Sequence, residues 1–79
     1  MLDKAKMLFE KANPDFKVFA GVEYKGSCYI LADASSKKKP DLETNWYKID
    51  LDNKTAVTFY PSTDMEFIDF LIGNSVKYD

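Results

Sequence analysis

The stretch FKVFAGVEYKGSCYILADA, residues 16–34, decides the fold. Phe16, Val18, Ala20, Val22 and Tyr24 alternate with Lys17, Phe19, Gly21, Glu23 and Lys25. Period two is the pattern of a strand whose side chains point to opposite faces in turn. Lys25-Gly26-Ser27 interrupts it with turn-forming residues, and Cys28 to Ala34 resumes as a second β segment. With Gly26-Ser27 as a two-residue loop, Tyr24 stands opposite Tyr29 and Val22 opposite Leu31. That register collects large apolar pairs on one face and predicts an antiparallel hairpin at the centre of the fold.

Outward from the hairpin the period changes. Leu2, Ala5, Leu8, Phe9 and Ala12 recur at helical spacing behind Asp3, a candidate N-cap, and Asn13-Pro14 ends the segment. On the other side, Ser35 to Glu43 is polar and predicts an exposed loop. A third strand is expected from about Asn45 to Leu51, with Tyr47, Ile49 and Leu51 on one face. Asp52-Asn53-Lys54 reads as a hairpin turn, where Asn53 tolerates the left-handed conformation such turns often require, and the fourth strand, Thr55 to Tyr60, sends Val57 and Phe59 to that same face. Pro61 stops it. Thr63 and Glu66 then form a capping-box pattern ahead of an apolar helix that stops at Gly73-Asn74, and Ser75 to Asp79 is expected to fray.

The reading is a single α+β domain over residues 1–79, in the order α-β-β-β-β-α, with a four-stranded antiparallel sheet and two flanking helices. At 79 residues the chain has length for one core, and 46% hydrophobic residues with six Phe, five Tyr and one Trp supply it. Cys28 is the only cysteine and there is no histidine, which excludes an internal disulfide framework and zinc sites built from Cys and His. Asp3, Lys4 and Lys6 interrupt any signal-like apolar run, and the stretch from Phe67 to Ile72 contains Asp69 and is too short to span a bilayer. A cytosolic setting without membrane association is expected.

The same composition argues against catalysis. Without His, acid–base work falls to carboxylates, Lys or Tyr. The acidic residues sit where turns and helix N-termini want them: Asp50 and Asp52 beside a hairpin turn, Asp64, Glu66 and Asp69 around a helix start. Cys28 has no histidine to lower its pKa and reads as a small apolar strand residue. Gly21, Gly26 and Gly73 are isolated and make no phosphate loop. No enzyme activity, cofactor or metal is expected.

Binding is the leading expectation. The predicted second face of the sheet carries Phe19, Ile30, Ala32, Trp46 and Tyr60 among Glu23, Lys48, Asp50 and Thr58. Large aromatics among scattered charges are the composition of a protein interface. Phe19, Ile30, Trp46 and Tyr60 are therefore the candidate contact residues, for a protein partner or for a second copy of the chain. This requires both helices to lie on the opposite face; helices straddling the sheet turn these side chains into core. The alternative is weak nucleic-acid association through Lys37, Lys38 and Lys39. It is disfavoured by a net charge of −2 and by basic residues that are all Lys, since Arg supplies the fork that grips phosphate and guanine.

The segment NWYKIDLDNKTAVTFYP, residues 45–61, resembles the aromatic strand, Asp/Lys-rich turn and strand ending in Phe-x-Pro of small uncharacterised proteins from phages and prophages of Gram-positive bacteria. In many of those a short acidic, Phe-containing helix follows, as Asp64 to Ile72 does here. The resemblance covers the C-terminal hairpin and helix. It implies a phage-encoded accessory, assembly or host-interaction protein and carries no catalytic residue across.

Overall fold

The structure, a computed structural model, describes residues 1–39 and 46–78. Its elements run α1 (Leu2–Ala12), β1 (Phe16–Tyr24), β2 (Ser27–Ala34), β3 (Trp46–Asp50), β4 (Thr55–Phe59), α2 (Met65–Asn74) and β5 (Val76–Lys77), with a 3-10 turn at Pro61–Thr63. The strands form one antiparallel sheet in the order β4-β3-β2-β1-β5. The α+β class and the two helices are as the residue pattern predicts. The sheet has a fifth strand, because the described tail, 75–78, does not fray: Val76 and Lys77 pair with Gly21 and Ala20, and the Tyr78 N–H donates to the Phe19 carbonyl at 2.8 Å, while Asp79 lies outside the described residues. The open edge of β1 satisfies backbone groups that a fraying tail would leave to water. Ser35 to Lys39 of the expected loop are exposed, and its remainder lies outside the described residues, as does Asn45.

The central hairpin turns on Lys25-Gly26, both with positive φ (49° and 78°), rather than on Gly26-Ser27. Tyr24 thus pairs with Ser27, Val22 with Tyr29 and Ala20 with Leu31. Two positive-φ residues make the turn type whose twist matches the flanking strands. Near the turn the displacement from the expected register is an even number of residues, so Ala20, Val22 and Tyr24 keep their face, but the irregularity between Val18 and Ala20 turns Phe16 and Val18 to the opposite, α1 face. In the β3–β4 hairpin the displacement is odd. The loop holds four residues, 51–54, and Asp50 pairs with Thr55. The Asp50 carboxylate builds this loop, accepting from the Asp52 and Asn53 amides at 3.0 and 3.1 Å and from Asn53 Nδ2 at 2.8 Å. Lys54, not Asn53, takes the left-handed conformation, at φ 55°.

The helices straddle the sheet. On one face α1 buries Ala5 and Phe9 against Val18, Cys28, Ile30, Ala32 and Ile49. It approaches β1 so closely that a Cβ on Gly21 would lie 3.1 Å from Leu2 Cδ2, so a side chain there would require the Leu2 methyl to give by a few tenths of an ångström. The helix begins at Leu2 with Met1 as its cap, which places Asp3 inside the first turn. On the other face α2 buries Phe67 against Val22, Tyr24, Tyr29, Leu31 and Trp46. Its cap is Asp64, whose carboxylate accepts from the Phe67 amide at 3.1 Å, while the Thr63 hydroxyl donates to the Tyr60 carbonyl. The capping role thus falls one residue after the expected Thr63, because Thr63 is used in the 3-10 turn. Gly73 and Asn74 lie within α2, which ends at Ser75.

Phe67 is fully buried and meets one ring from each of β1 to β4. Its centroid lies 5.3 Å from Tyr24, 4.8 Å from Tyr29, 5.8 Å from Trp46 and 4.8 Å from Phe59. Each such pair contributes about 0.5–1.5 kcal/mol beyond the area it buries. The Tyr24 hydroxyl, beneath the same helix, is buried without a well-formed hydrogen bond among the described residues, and the Lys25 ammonium is the polar group beside it.

Two outcomes follow for stability. Phe67→Ala is expected to cost about 3–5 kcal/mol in urea unfolding followed by Trp46 fluorescence. That is a large part of the roughly 4–12 kcal/mol typical of a chain this long; a loss below about 1.5 kcal/mol would mean that the four rings close without it. Tyr24→Phe keeps the ring contacts and removes a buried hydroxyl without a well-formed hydrogen bond, so stability is expected to stay level or rise by up to about 1 kcal/mol. A clear loss instead would reveal a partner for that hydroxyl.

Candidate functional site

The four candidate contact residues do not share a surface. Ile30 is fully buried in the core beneath α1, and Trp46, 5% exposed, is in the core beneath α2. Phe19 is half-buried at an irregularity of β1 between Val18 and Ala20, with the Lys17 ammonium 4.7 Å above its ring. Tyr60 alone is well exposed, at 55%. The aromatic interface expected on the second sheet face is thus corrected: α2 covers one face of the central strands and α1 the other. Tyr47 and Ile49 join Ile30 on the α1 side, because Ile30 pairs with Tyr47 and Cys28 with Ile49.

The other singled-out residues are likewise tied to local structure. Lys37 reaches back to Asp33 at 3.0 Å, while Lys38 and Lys39 are exposed beside it. Cys28 is buried, and desolvation pushes its thiol pKa up, away from the thiolate. Asn53 and the turn amides hold the Asp50 carboxyl below its usual range, the signature of a turn cap. Among the described residues no group of three or more Cys, Asp or Glu is placed to hold a metal ion, and no helix is long and apolar enough to cross a membrane.

Two surface recesses border these residues. One of about 560 Å³ lies where the two hairpin turns sit side by side, lined by Met1, Cys28, Lys48, Asp50, Thr55 and Val57. A second of about 290 Å³ is a groove between α1 and the β3–β4 hairpin, lined mainly by Leu8, Phe9, Ala12, Phe16, Tyr47 and Ala56, with Asn13 and Lys54 supplying polar groups.

The strongest functional contrast is between the two edges of the sheet. The β1 edge is guarded. The Glu10 carboxylate accepts the outward Val18 amide at 2.9 Å, β5 pairs with Ala20 and Gly21, and the strand is broken by its irregularity. The Met1 ammonium lies 3.7 Å from Glu23 farther along. The β4 edge carries none of these devices. Its sequence, Thr55-Ala56-Val57-Thr58-Phe59, has no charge and no proline, and it pairs with β3 residue for residue without a bulge. Among the described residues no strand lies on its outer side. Val57 is 63% exposed. A regular, neutral, β-branched edge is the form that adds another strand most readily. Residue types alone mark this stretch as a strand; its position at the margin follows from the strand order.

The guard on β1 is sensitive to acid. Burial works against the Glu10 charge, but the Val18 amide and the Lys6 ammonium at 2.9 Å outweigh it and hold the carboxyl below its ordinary value of 4.5. A lowered folded pKa contributes stability that is present above the unfolded value and is lost as pH falls through the folded one. Glu10→Gln is therefore expected to be less stable than the wild type near neutrality, with the gap closing as pH drops below 4.5. A gap that does not change with pH would assign the effect to packing.

Comparison of the chain with protein-family models, curated proteins and solved structures gives no match in any of the three.

Proposed function

We propose that this chain is a non-catalytic protein-interaction or assembly module that works by strand addition at the β4 edge. The observation that carries the reading is the asymmetry of the sheet: one margin is capped by a carboxylate, a short strand and an irregularity, while the other is a neutral five-residue strand open along its outer side among the described residues. Backbone hydrogen bonds supply the affinity in such pairing, and alternate side chains supply the selection. Here those side chains are Val57 and Phe59 on one face and Ala56 and Thr58 on the other, with exposed Tyr60 following. The resemblance of the C-terminal hairpin and helix to small phage proteins supports an accessory or assembly role. The buried, undissociated Cys28 thiol suits a reducing, cytoplasmic setting. The lysine loop gains no support, since Lys37 is already engaged by Asp33.

Val57→Lys places a charge on the open strand, the device by which edges are ordinarily kept from pairing. Pull-downs from host lysate with wild-type and Val57→Lys domains, each with and without nuclease, are expected to capture a defined protein that survives nuclease and is lost with the substitution. Capture that disappears with nuclease, or that is indifferent to Val57→Lys, would remove the edge from consideration.

A further inference from the structure

We infer that the occupant of the β4 edge is a second copy of this chain, paired antiparallel about a two-fold axis through Val57 to join two five-stranded sheets into one. The inference rests on the reading of β4 as the working edge and adds the identity of the partner.

The argument begins with register. An axis at Val57 sets Val57 opposite its own counterpart, Thr55 opposite Phe59, Ala56 opposite Thr58, and Lys54 opposite Tyr60. All five strand residues on each side are then paired, a small residue meets a larger one at each off-axis position, and no charge faces a like charge. Like charges directly opposite are destabilising, whereas Thr and Val beside aromatic or β-branched partners are favourable. An axis moved one residue along leaves one end of the strand without a partner in either direction.

The neighbouring strand fits the same axis. Lys48 pairs with Val57 and Asp50 with Thr55. In the joined sheet the two Lys48 residues are separated by both β4 strands, about 14 Å at the usual strand spacing, beyond the screening length of about 8 Å in physiological salt. On the α1 side the joined rows read Tyr47, Thr58, Ala56, Ile49, with no charge at all. A strand that selects a foreign partner by charge would carry charged side chains along its edge, and β4 carries none. The guarded β1 margin completes the case. A chain with one bare edge and one capped edge closes at two copies, where two bare edges would build an open filament.

Sedimentation velocity from about 10 µM to about 1 mM chain, together with directed cross-linking, tests the inference. The wild type is expected to move toward twice the chain mass as concentration rises, and Val57→Lys to remain monomeric with an unchanged circular-dichroism spectrum. In a Cys28→Ser background, Val57→Cys is expected to form a disulfide-linked dimer under mild oxidation at least tenfold faster than Ser62→Cys, because residues facing each other across antiparallel strands bring their Cβ atoms to about 4.5–5.5 Å. A wild type that stays monomeric at about 1 mM, or Val57→Cys linking no faster than Ser62→Cys, overturns the inference. A dimer that persists in Val57→Lys also overturns it. If the chain is monomeric yet captures a nuclease-resistant partner that Val57→Lys abolishes, the second copy is excluded while strand addition at β4 stands. If neither dimer nor partner depends on Val57, both fall.

Discussion

Phe67 is the contact on which the rest of the structure depends. One helix side chain stands between Tyr24, Tyr29, Trp46 and Phe59, a ring from each of the four longer strands, and is fully buried there. Because no disulfide is available and no metal-ligating group was found among the described residues, cohesion between the sheet and α2 falls on apolar and aromatic packing. Asp64 sets the helix start by capping the Phe67 amide, so the cap and the hub are three residues apart and position one another. The consequence for function is direct. Trp46 is drawn inward to meet Phe67, which withdraws the largest aromatic of the chain from the surface and leaves β4 and Tyr60 as what the sheet offers outward.

How much of this was legible in the residues depends on what fixed each register. The class, the element order and the central hairpin follow from alternation and turn chemistry, and the two-residue error at Lys25-Gly26 changed no face because it was even. The faces of β3 were not legible. The connection from β2 to β3 spans residues 35–45, and a long connection imposes no parity, whereas a tight turn does. The four-residue loop built by Asp50 then reversed the expected relation of β4 to β3. Two odd displacements cancelled, so Val57 and Phe59 lie with Tyr29 and Leu31 as expected, while Tyr47 and Ile49 lie opposite them. The candidate contact residues failed for the same reason: they were chosen from a face that two helices on opposite sides do not leave open. The β4 margin was hidden for a different one. Thr55 to Phe59 is an ordinary strand by composition, and only the strand order makes it an edge.

The two margins show opposite treatments of the same physical problem. An unpaired strand side presents donors and acceptors that seek partners. At β1 they are supplied from within the chain, by a helix carboxylate and by the tail. At β4 they are left for something from outside. The charge distribution agrees with this division, since Glu10, Lys17, Glu23 and Lys77 cluster along the guarded side and none of the five β4 residues is charged.

Phe67 also arrives late. Trp46 leaves the ribosome 21 residues ahead of it, so at about 5–20 residues per second the strand rings wait about 1–4 s before their cover is made. The buried residues of the α1 face, Ala5, Phe9, Val18, Cys28, Ile30 and Ile49, are all synthesised before Trp46 or within three residues of it, while Tyr78, which packs against them, comes last. The nascent domain is thus two-sided in time as well as in space. The buried set under α1 is complete in the chain by Ile49, whereas the rings under α2 have no cover until Phe67 is made, which leaves that apolar surface within reach of a chaperone in the interval.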